Sequence, residues 1–341
     1  MLARELRLAL IQEGFVTSSV GGGGAPSLSA KNPMELHIEN MCLMREKTKS
    51  RIREASKAAD LVLLQELHTT QYFCQSEDDM HFDFAYSFED NVKFFSSAAK
   101  ECGVVLVSSL FEKRADGLYH NTAVVFEKDG SIAGKYRKMH IPDDPQFYEK
   151  FYFAPGDLGF TPIKTSVGTL GVLICWDQWF PEAARIMALR GAEILIYPTA
   201  IGWFDSDSED ERARQLDAWR TVQRGHAIAN GIHLASINRV GFEIDASCSR
   251  VGSNAGFSPH DNGILVDGAP PHLSPRGIRF FGNSFVCGPQ GEILAEASNE
   301  KEEILYATLD LDRTRIVRQA WPFLRDRRVD SYGAILKLYG D

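Results

Sequence analysis

Leu170-Gly171-Val172-Leu173-Ile174-Cys175-Trp176-Asp177-Gln178-Trp179-Phe180-Pro181-Glu182 is an apolar run that stops at a thiol and then turns polar and aromatic. The run reads as a buried strand. Pro181 with Glu182 reads as a helix start, because proline fits the first helical turn and an acid there complements the helix dipole. Cys175 therefore falls on a strand-to-helix corner. The positive end of a nearby helix favours thiolate over thiol, and the corner has the form of a nucleophile elbow with sulfur as the attacking atom. Free cysteine is also among the most buried residue types, so core packing alone accounts equally well for a lone Cys175.

Outward from this corner, strand-like and helical runs alternate. Strands are expected at 6–12, 61–65, 104–110, 122–126, 170–175, 194–197, 233–238, 283–287 and 304–309, and helices at 34–59, 91–101, 181–189 and 209–229. Ser208 suits the N-cap of the last helix, acids fill its first turn, and Gly231 lies just past its end. Such alternation means α/β layering. Nothing between Arg4 and Leu311 has the composition of an interdomain linker, so one domain spanning 1–341 is expected. Two stretches, 17–33 around Gly21 to Gly24 and 245–276, are rich in small and turn-forming residues and read as loop insertions. The glycine cluster lacks a Gly-Lys-Ser/Thr and a G-x-G-x-x-G opening a helix, which argues against a phosphate loop. Residues 312–341 read as a C-terminal arm.

Composition narrows the function. Hydrophobic residues make up 44% of the 341, enough for a sizeable core. A net charge of −9 argues against nucleic acid and acidic membrane surfaces as partners. No apolar run reaches the length of a membrane span, and the N-terminus lacks a signal-peptide layout. The six cysteines have neither metal-type nor small-disulfide spacing, which suits a reducing cytoplasm where a reactive thiol survives. Nine dispersed histidines argue against a metal site.

Two other residues stand out. Glu66 ends the run DLVLLQEL (60–67); a strand-end carboxylate commonly faces water, and becomes a general base only when partly buried. Lys138 lies in GKYRKMHIP (134–142). A basic run before proline is usually a solvated turn, yet a lysine beside a thiolate lowers the thiol pKa and stabilises an oxyanion.

In chain order, a strand-ending Glu, a Lys in Arg-Lys-x-His-Ile-Pro and a Cys in Cys-Trp-Asp resemble the nitrilase, or carbon–nitrogen hydrolase, superfamily. Lys138 follows Glu66 by 72 residues and precedes Cys175 by 37, spacings in that superfamily's range. The segments LQEL (64–67), YRKMHIPDD (136–144), FYEKFYFAPGD (147–157), CWDQWFPEAAR (175–185), YPTAIGW (197–203), GNSF (282–285) and WPFLRDRR (321–328) narrow the resemblance to its N-carbamoylputrescine amidohydrolase branch. The resemblance implies an α/β, four-layer α-β-β-α sandwich and a cysteine hydrolase that needs no metal or organic cofactor. It implies Glu66, Lys138 and Cys175 as the catalytic set, with Glu149 as a second carboxylate; from the sequence alone Glu149 reads equally as a surface acid paired with Lys150. It also implies hydrolysis of N-carbamoylputrescine, a small cationic ureido compound, to putrescine, carbon dioxide and ammonia in polyamine synthesis.

Tyr72, Asp144, Trp176 and Trp203 are the expected substrate-binding residues. Acids and aromatics after Lys138, with Lys150 the only cation, suit an ammonium tail, although aromatics in such segments are as often core. Three alternatives stand beside this reading: a β-ureidopropionase-like carbamoyl hydrolase, a non-catalytic nitrilase-like binding protein, and a Cys-His hydrolase using His140 or His226. The apolar, Arg-rich segment 321–328 suggests a homo-oligomer, a dimer or higher.

Overall fold

The computed structural model describes residues 4–17, 33–245 and 277–340, so the expected insertions at 17–33 and 245–276 lie, apart from their end residues, outside the described residues. Along the chain run β1 (Glu5–Gln12), α1 (Pro33–Ala55), β2 (Leu61–Leu64), α2 (Phe88–Cys102), β3 (Val105–Ala115), β4 (Leu118–Phe126), β5 (Ile132–Arg137), α3 (Glu149–Tyr152), β6 (Ile163–Thr165) and β7 (Gly168–Val172). There follow α4 (Pro181–Leu189), β8 (Ile194–Pro198), β9 (Gly202–Trp203), α5 (Glu209–Asn230), β10 (His233–Ile237), β11 (Val240–Ile244), β12 (Gly277–Phe281), β13 (Phe285–Cys287), β14 (Ile293–Glu296), β15 (Glu303–Asp310) and α6 (Leu311–Ala320).

Among the described residues these strands build two six-stranded sheets, β15-β1-β2-β3-β4-β5 and β14-β13-β10-β8-β7-β6, and a small sheet β11-β12-β9. Three strands in each large sheet run parallel, β1-β2-β3 in one and β7-β8-β10 in the other. Read from β15 and from β6, the two sheets show the same order of antiparallel and parallel pairs. The two halves thus share one pairing pattern, although β15 reaches its edge from the end of the chain and β6 leads directly into β7.

Strand residues alternate between two apolar environments, as the period of two requires. Leu8, Leu10, Leu63, Val107 and Val125 meet Leu170, Val172, Ile194 and Ile196 between the sheets. Ala9, Ile11, Val62, Leu64 and Val124 face outward onto Ile52 and Ala55 of α1 and Phe88, Val92 and Phe95 of α2. On the other side Ala183 and Met187 of α4 and Trp219 and Ala227 of α5 cover the second sheet. The unbroken apolar runs at 61–64 and 194–197 are what parallel strands buried on both faces need. The outcome is the α-β-β-α sandwich expected.

Helix α4 starts at Pro181 and α5 at Glu209, where the Ser208 side chain accepts the Glu211 N–H and Gly231 closes the helix at φ 51°. The corner at Cys175 differs from expectation. The strand ends at Val172, and a 3-10 turn over Cys175–Trp179 separates the thiol from α4. Of the segment 312–341, the first nine residues belong to α6, which buries Leu311, Thr314 and Val317, so the arm proper begins at Trp321. No described helix is long and apolar enough to cross a membrane. Glu66, Cys175, Thr199 and Asn238 all lie just past the carboxyl ends of parallel strands, the end where open α/β sheets place their ligands.

Candidate active site

Cys175 sits at φ 41°, a left-handed conformation uncommon outside glycine. Buried Asp177 holds the corner in it. Its Oδ2 accepts the Ile174 N–H at 2.9 Å and the Tyr136 hydroxyl at 2.7 Å, while Oδ1 accepts the His140 N–H at 3.0 Å and contacts His140 Nδ1 at 2.7 Å. The Cys175 Sγ lies 3.9 Å from the Ala200 carbonyl. Burial pushes the thiol well above its ordinary range; the Glu66 and Glu149 charges add to this and Lys138 opposes it. The helix start stands a turn away, and burial with two carboxylates outweighs the pull of Lys138 toward the thiolate, so the attacking sulfur calls for a base.

Glu66, the expected base, lies in a closed cluster. Lys138 Nζ donates to Glu66 Oε1 at 2.8 Å and to Glu149 Oε2 at 2.7 Å, with all three side chains fully buried. Burial alone would lower the lysine pKa, but Glu149 and Glu66 together raise it well above the usual value, so the ammonium is permanent. An ammonium has three donors, and two are taken. Glu66 Oε1 also accepts from Asn121 Nδ2 at 2.7 Å, and Ser109 Oγ donates to Asn121 Oδ1 at 2.7 Å, which fixes the amide's orientation. Glu66 Oε2 is buried without a hydrogen-bond partner, so it is the oxygen left to take a proton.

Glu149 is not the surface acid that pairs with Lys150; it is buried and its second oxygen accepts the Tyr72 hydroxyl at 2.8 Å. Burial pushes its pKa up to about 7, Glu66 adding while Lys138 and Tyr72 oppose. The structure thus brings Glu66, Lys138, Glu149 and Tyr72 into one hydrogen-bonded network, with the Cys175 thiol inside its field. Asn121 was not foreseen; the only sequence signal was a polar residue at an inward position of an apolar strand.

The Tyr72 ring lies between Phe147 and Phe280, at 5.6 and 5.7 Å. The remaining expected residues stand outside this network. Asp144 is half-buried, its Oδ1 enclosed without a partner, and burial raises its pKa while Lys138 opposes. Asp143 is exposed. Trp176 packs edge-on against Trp179, and Trp203 lies 5.0 Å from Phe281 with its indole N–H enclosed and unpartnered. His140 Nδ1 is engaged by Asp177 and its ring stacks on Phe180 at 3.8 Å, while His226 Nε2 bonds the Gln178 carbonyl. Both histidines serve the scaffold of the turn, which removes the Cys-His alternative's support. Among the described residues no group of His, Cys, Asp and Glu is arranged to hold a metal ion.

Residues 41–319 match the family description Carbon-nitrogen hydrolase. The chain belongs to the carbon–nitrogen hydrolase family. This hydrolase is 42% identical to the N-carbamoylputrescine amidase of Arabidopsis thaliana, over 85% of this chain and 89% of that one. It is 37% identical to the citrullinase of Francisella tularensis subsp. tularensis, over 88% of this chain and 94% of that one. Among solved structures, the carbon-nitrogen hydrolase from Helicobacter pylori G27 is 51% identical and superposes with a TM-score of 0.82, covering 98% of this chain and 99% of that one. The hydrolase therefore cleaves carbon–nitrogen bonds, as its family does, and its intact Glu66, Lys138 and Cys175 speak against a merely binding protein.

Proposed function

We propose that the hydrolase cleaves the ureido group of N-carbamoylputrescine by covalent catalysis at Cys175. The observation that carries this reading is Lys138 bonded between Glu66 and Glu149, all three buried and within the field of the Cys175 thiol. Glu66 Oε2 takes the thiol proton as Sγ attacks the carbamoyl carbon. The oxyanion is stabilised by the remaining Lys138 donor and the Trp176 backbone N–H, contacts each worth ~3–4 kcal/mol. Glu66 then gives its proton to the departing nitrogen, later takes one from the water that splits the thioester-type intermediate, and returns it to the leaving Sγ, which restores the thiol. The carbamic acid half decomposes, so that one substrate and one water yield putrescine, carbon dioxide and ammonia. No step calls for a metal or an organic cofactor. Glu149 and Tyr72 act by fixing the lysine.

The tail of the substrate is read from Asp144, whose enclosed, unpartnered oxygen and raised pKa suit a carboxylate placed to receive a cation. Glu149 is not available to the tail, since both its oxygens are taken by Lys138 and Tyr72. Trp176 and Trp203 complete the pocket walls in this reading. The 42% identity to the plant N-carbamoylputrescine amidase supports the same substrate, and the citrullinase likeness marks citrulline, with both charges on its tail, as the compound to test beside it. The putrescine formed would enter polyamine synthesis. A cytoplasmic enzyme and a homo-oligomer are part of the same proposal; the five described cysteines, all free, support a reducing compartment.

Ammonia release measured across N-carbamoylputrescine, citrulline and N-carbamoyl-β-alanine tests the substrate. Setting a carboxylate tail against Asp144 costs several kcal/mol, so kcat/KM for N-carbamoylputrescine is expected to exceed that for N-carbamoyl-β-alanine by more than roughly a hundredfold. Equal rates, or faster turnover of the carboxylate, would overturn the substrate and leave the Cys175 chemistry intact.

A further inference from the structure

The nucleophile and its base stand on different sheets, Cys175 after β7 of one and Glu66 after β2 of the other. Apolar packing between sheets is non-directional, whereas a catalytic constellation needs placement within about 0.5 Å. Buried polar struts at this end of the sandwich supply the direction. Asp177 is one, tying the Cys175 turn to Tyr136 and His140 of the first half.

We propose that Arg239 is the second strut and the positioning residue for Glu66, a proposal that rests on Glu66 being the base. Arg239 follows β10 and is 1% exposed. Its Nη2 reaches the carbonyls of Glu66 at 3.0 Å, Leu67 at 2.6 Å and Thr70 at 2.8 Å, and its Nε reaches the Glu66 carbonyl at 3.2 Å. Nη1 donates to Glu243 Oε1 at 2.7 Å, and Glu243 Oε2 accepts the Tyr72 N–H at 2.8 Å. One guanidinium thus fixes the loop 66–72 at both ends, the base at its start and at its close the tyrosine that holds Glu149.

The loop fixes itself only in part. Leu67 stands at φ 46° and its carbonyl also accepts the Thr70 N–H at 3.1 Å and the Thr70 hydroxyl at 3.0 Å, but the buried Glu66 and Thr70 carbonyls beside it find their donor in Arg239. The planar fork of arginine meets several acceptors at once; an ammonium of the same charge does not. The root of the strut is equally fixed. Asn238 Nδ2 donates to the Ile201 and Gly282 carbonyls, each at 3.0 Å, and the Asn238 N–H donates to Ser284 Oγ at 3.0 Å. Arg239 touches no reacting atom and acts through the backbone of Glu66.

Alkylation of Cys175 by iodoacetamide, read by peptide mass mapping in the intact protein, measures proton removal by Glu66 without any ureido substrate. Glu66→Gln is expected to slow labelling at least roughly a hundredfold. Arg239→Lys should slow both labelling and kcat by roughly ten- to hundredfold, with KM changed far less. In the Glu66→Gln background Arg239→Lys should add almost nothing, because both act through one group. Wild-type labelling by Arg239→Lys, or the same factor in both backgrounds, would overturn the proposal. If Glu66→Gln alone leaves labelling unchanged, the assignment of the base fails first, and positioning fails with it. Should Arg239→Lys lose its folded circular dichroism, Glu243→Gln keeps size and the carbonyl contacts while loosening the strut. It is expected to slow labelling several-fold with the same non-additivity, and unchanged labelling there would overturn the proposal too.

Discussion

Lys138 keeps its charge in a place without water because two carboxylates face it, and the cluster's charge then depends on Glu149. With Glu66 and Glu149 both ionised the three groups sum to one negative charge; with Glu149 protonated they sum to zero. Glu149 titrates at about 7 against an ordinary value of 4.5. A carboxyl whose folded pKa is raised binds its proton more tightly in the native state, so its stabilising contribution is full below about 4.5 and is lost as pH rises through about 7. The urea midpoint of the wild type is expected to fall more between about pH 5 and about pH 8 than that of Glu149→Gln, and parallel curves would refute this. At the neighbouring thiol, Cys175→Ser is expected to leave a folded protein with almost no turnover, because a hydroxyl is far less acidic than a thiol in the same setting. Mass spectrometry should find the acyl adduct on Cys175 and on no other cysteine; substantial hydrolysis by folded Cys175→Ala would end the covalent mechanism.

At the scale of elements, the turn Cys175–Trp179 exists because Asp177 gathers donors from Ile174 just before it and from the other half of the molecule. Asp177→Asn sets an NH2 group against an N–H or an O–H, leaving buried donors unpaired. We expect a loss of about 3 kcal/mol in urea unfolding together with slower Cys175 alkylation; a variant as stable as the wild type would show that the turn holds without it. What the sequence disclosed of these elements follows their physics. Long periodic segments such as α4 and α5, and the doubly buried β2 and β8, announce themselves by pattern and caps. The strands β5, β6, β9, β11, β12 and β14 did not: β5, β6 and β14 are sheet edges, β9 has two residues and β11 is half exposed, as is Ile293 to Glu296 of β14. The site was legible where a residue's role is local to its motif, as for Glu66, Lys138 and Cys175. It was not where partners lie far apart in the chain: Arg239 meets the Glu66 carbonyl across 173 residues, and Glu149 stands next to Lys150 in sequence but bonds Lys138.

For the whole molecule, the question is what covers the segment after α6. Val329, Ile335, Leu336 and Leu338 are 66%, 60%, 91% and 97% exposed, with Trp321 and Phe323 close before them. Exposed apolar side chains in such number mark contact surfaces, and among the described residues the body of the same chain leaves them open. A second copy of this chain is the occupant we propose, because Trp321 and Phe323 are joined by Arg325, Arg327 and Arg328, the mixture of aromatic and arginine enriched at interfaces. An isologous pair would let each arm lie on the other subunit, covering both patches by one symmetric contact. Sedimentation of the full chain at micromolar concentration should therefore show a dimer or a larger assembly. Removing the residues after Arg328 should shift it toward monomer, while Cys175 keeps its reactivity toward iodoacetamide, since Glu66, Lys138 and Arg239 all come from the sandwich. A full-length monomer at that concentration would refute the assembly. If the truncation instead silenced Cys175 with the fold retained, the arm would be part of the active site, and subunit pairing would be a condition of catalysis.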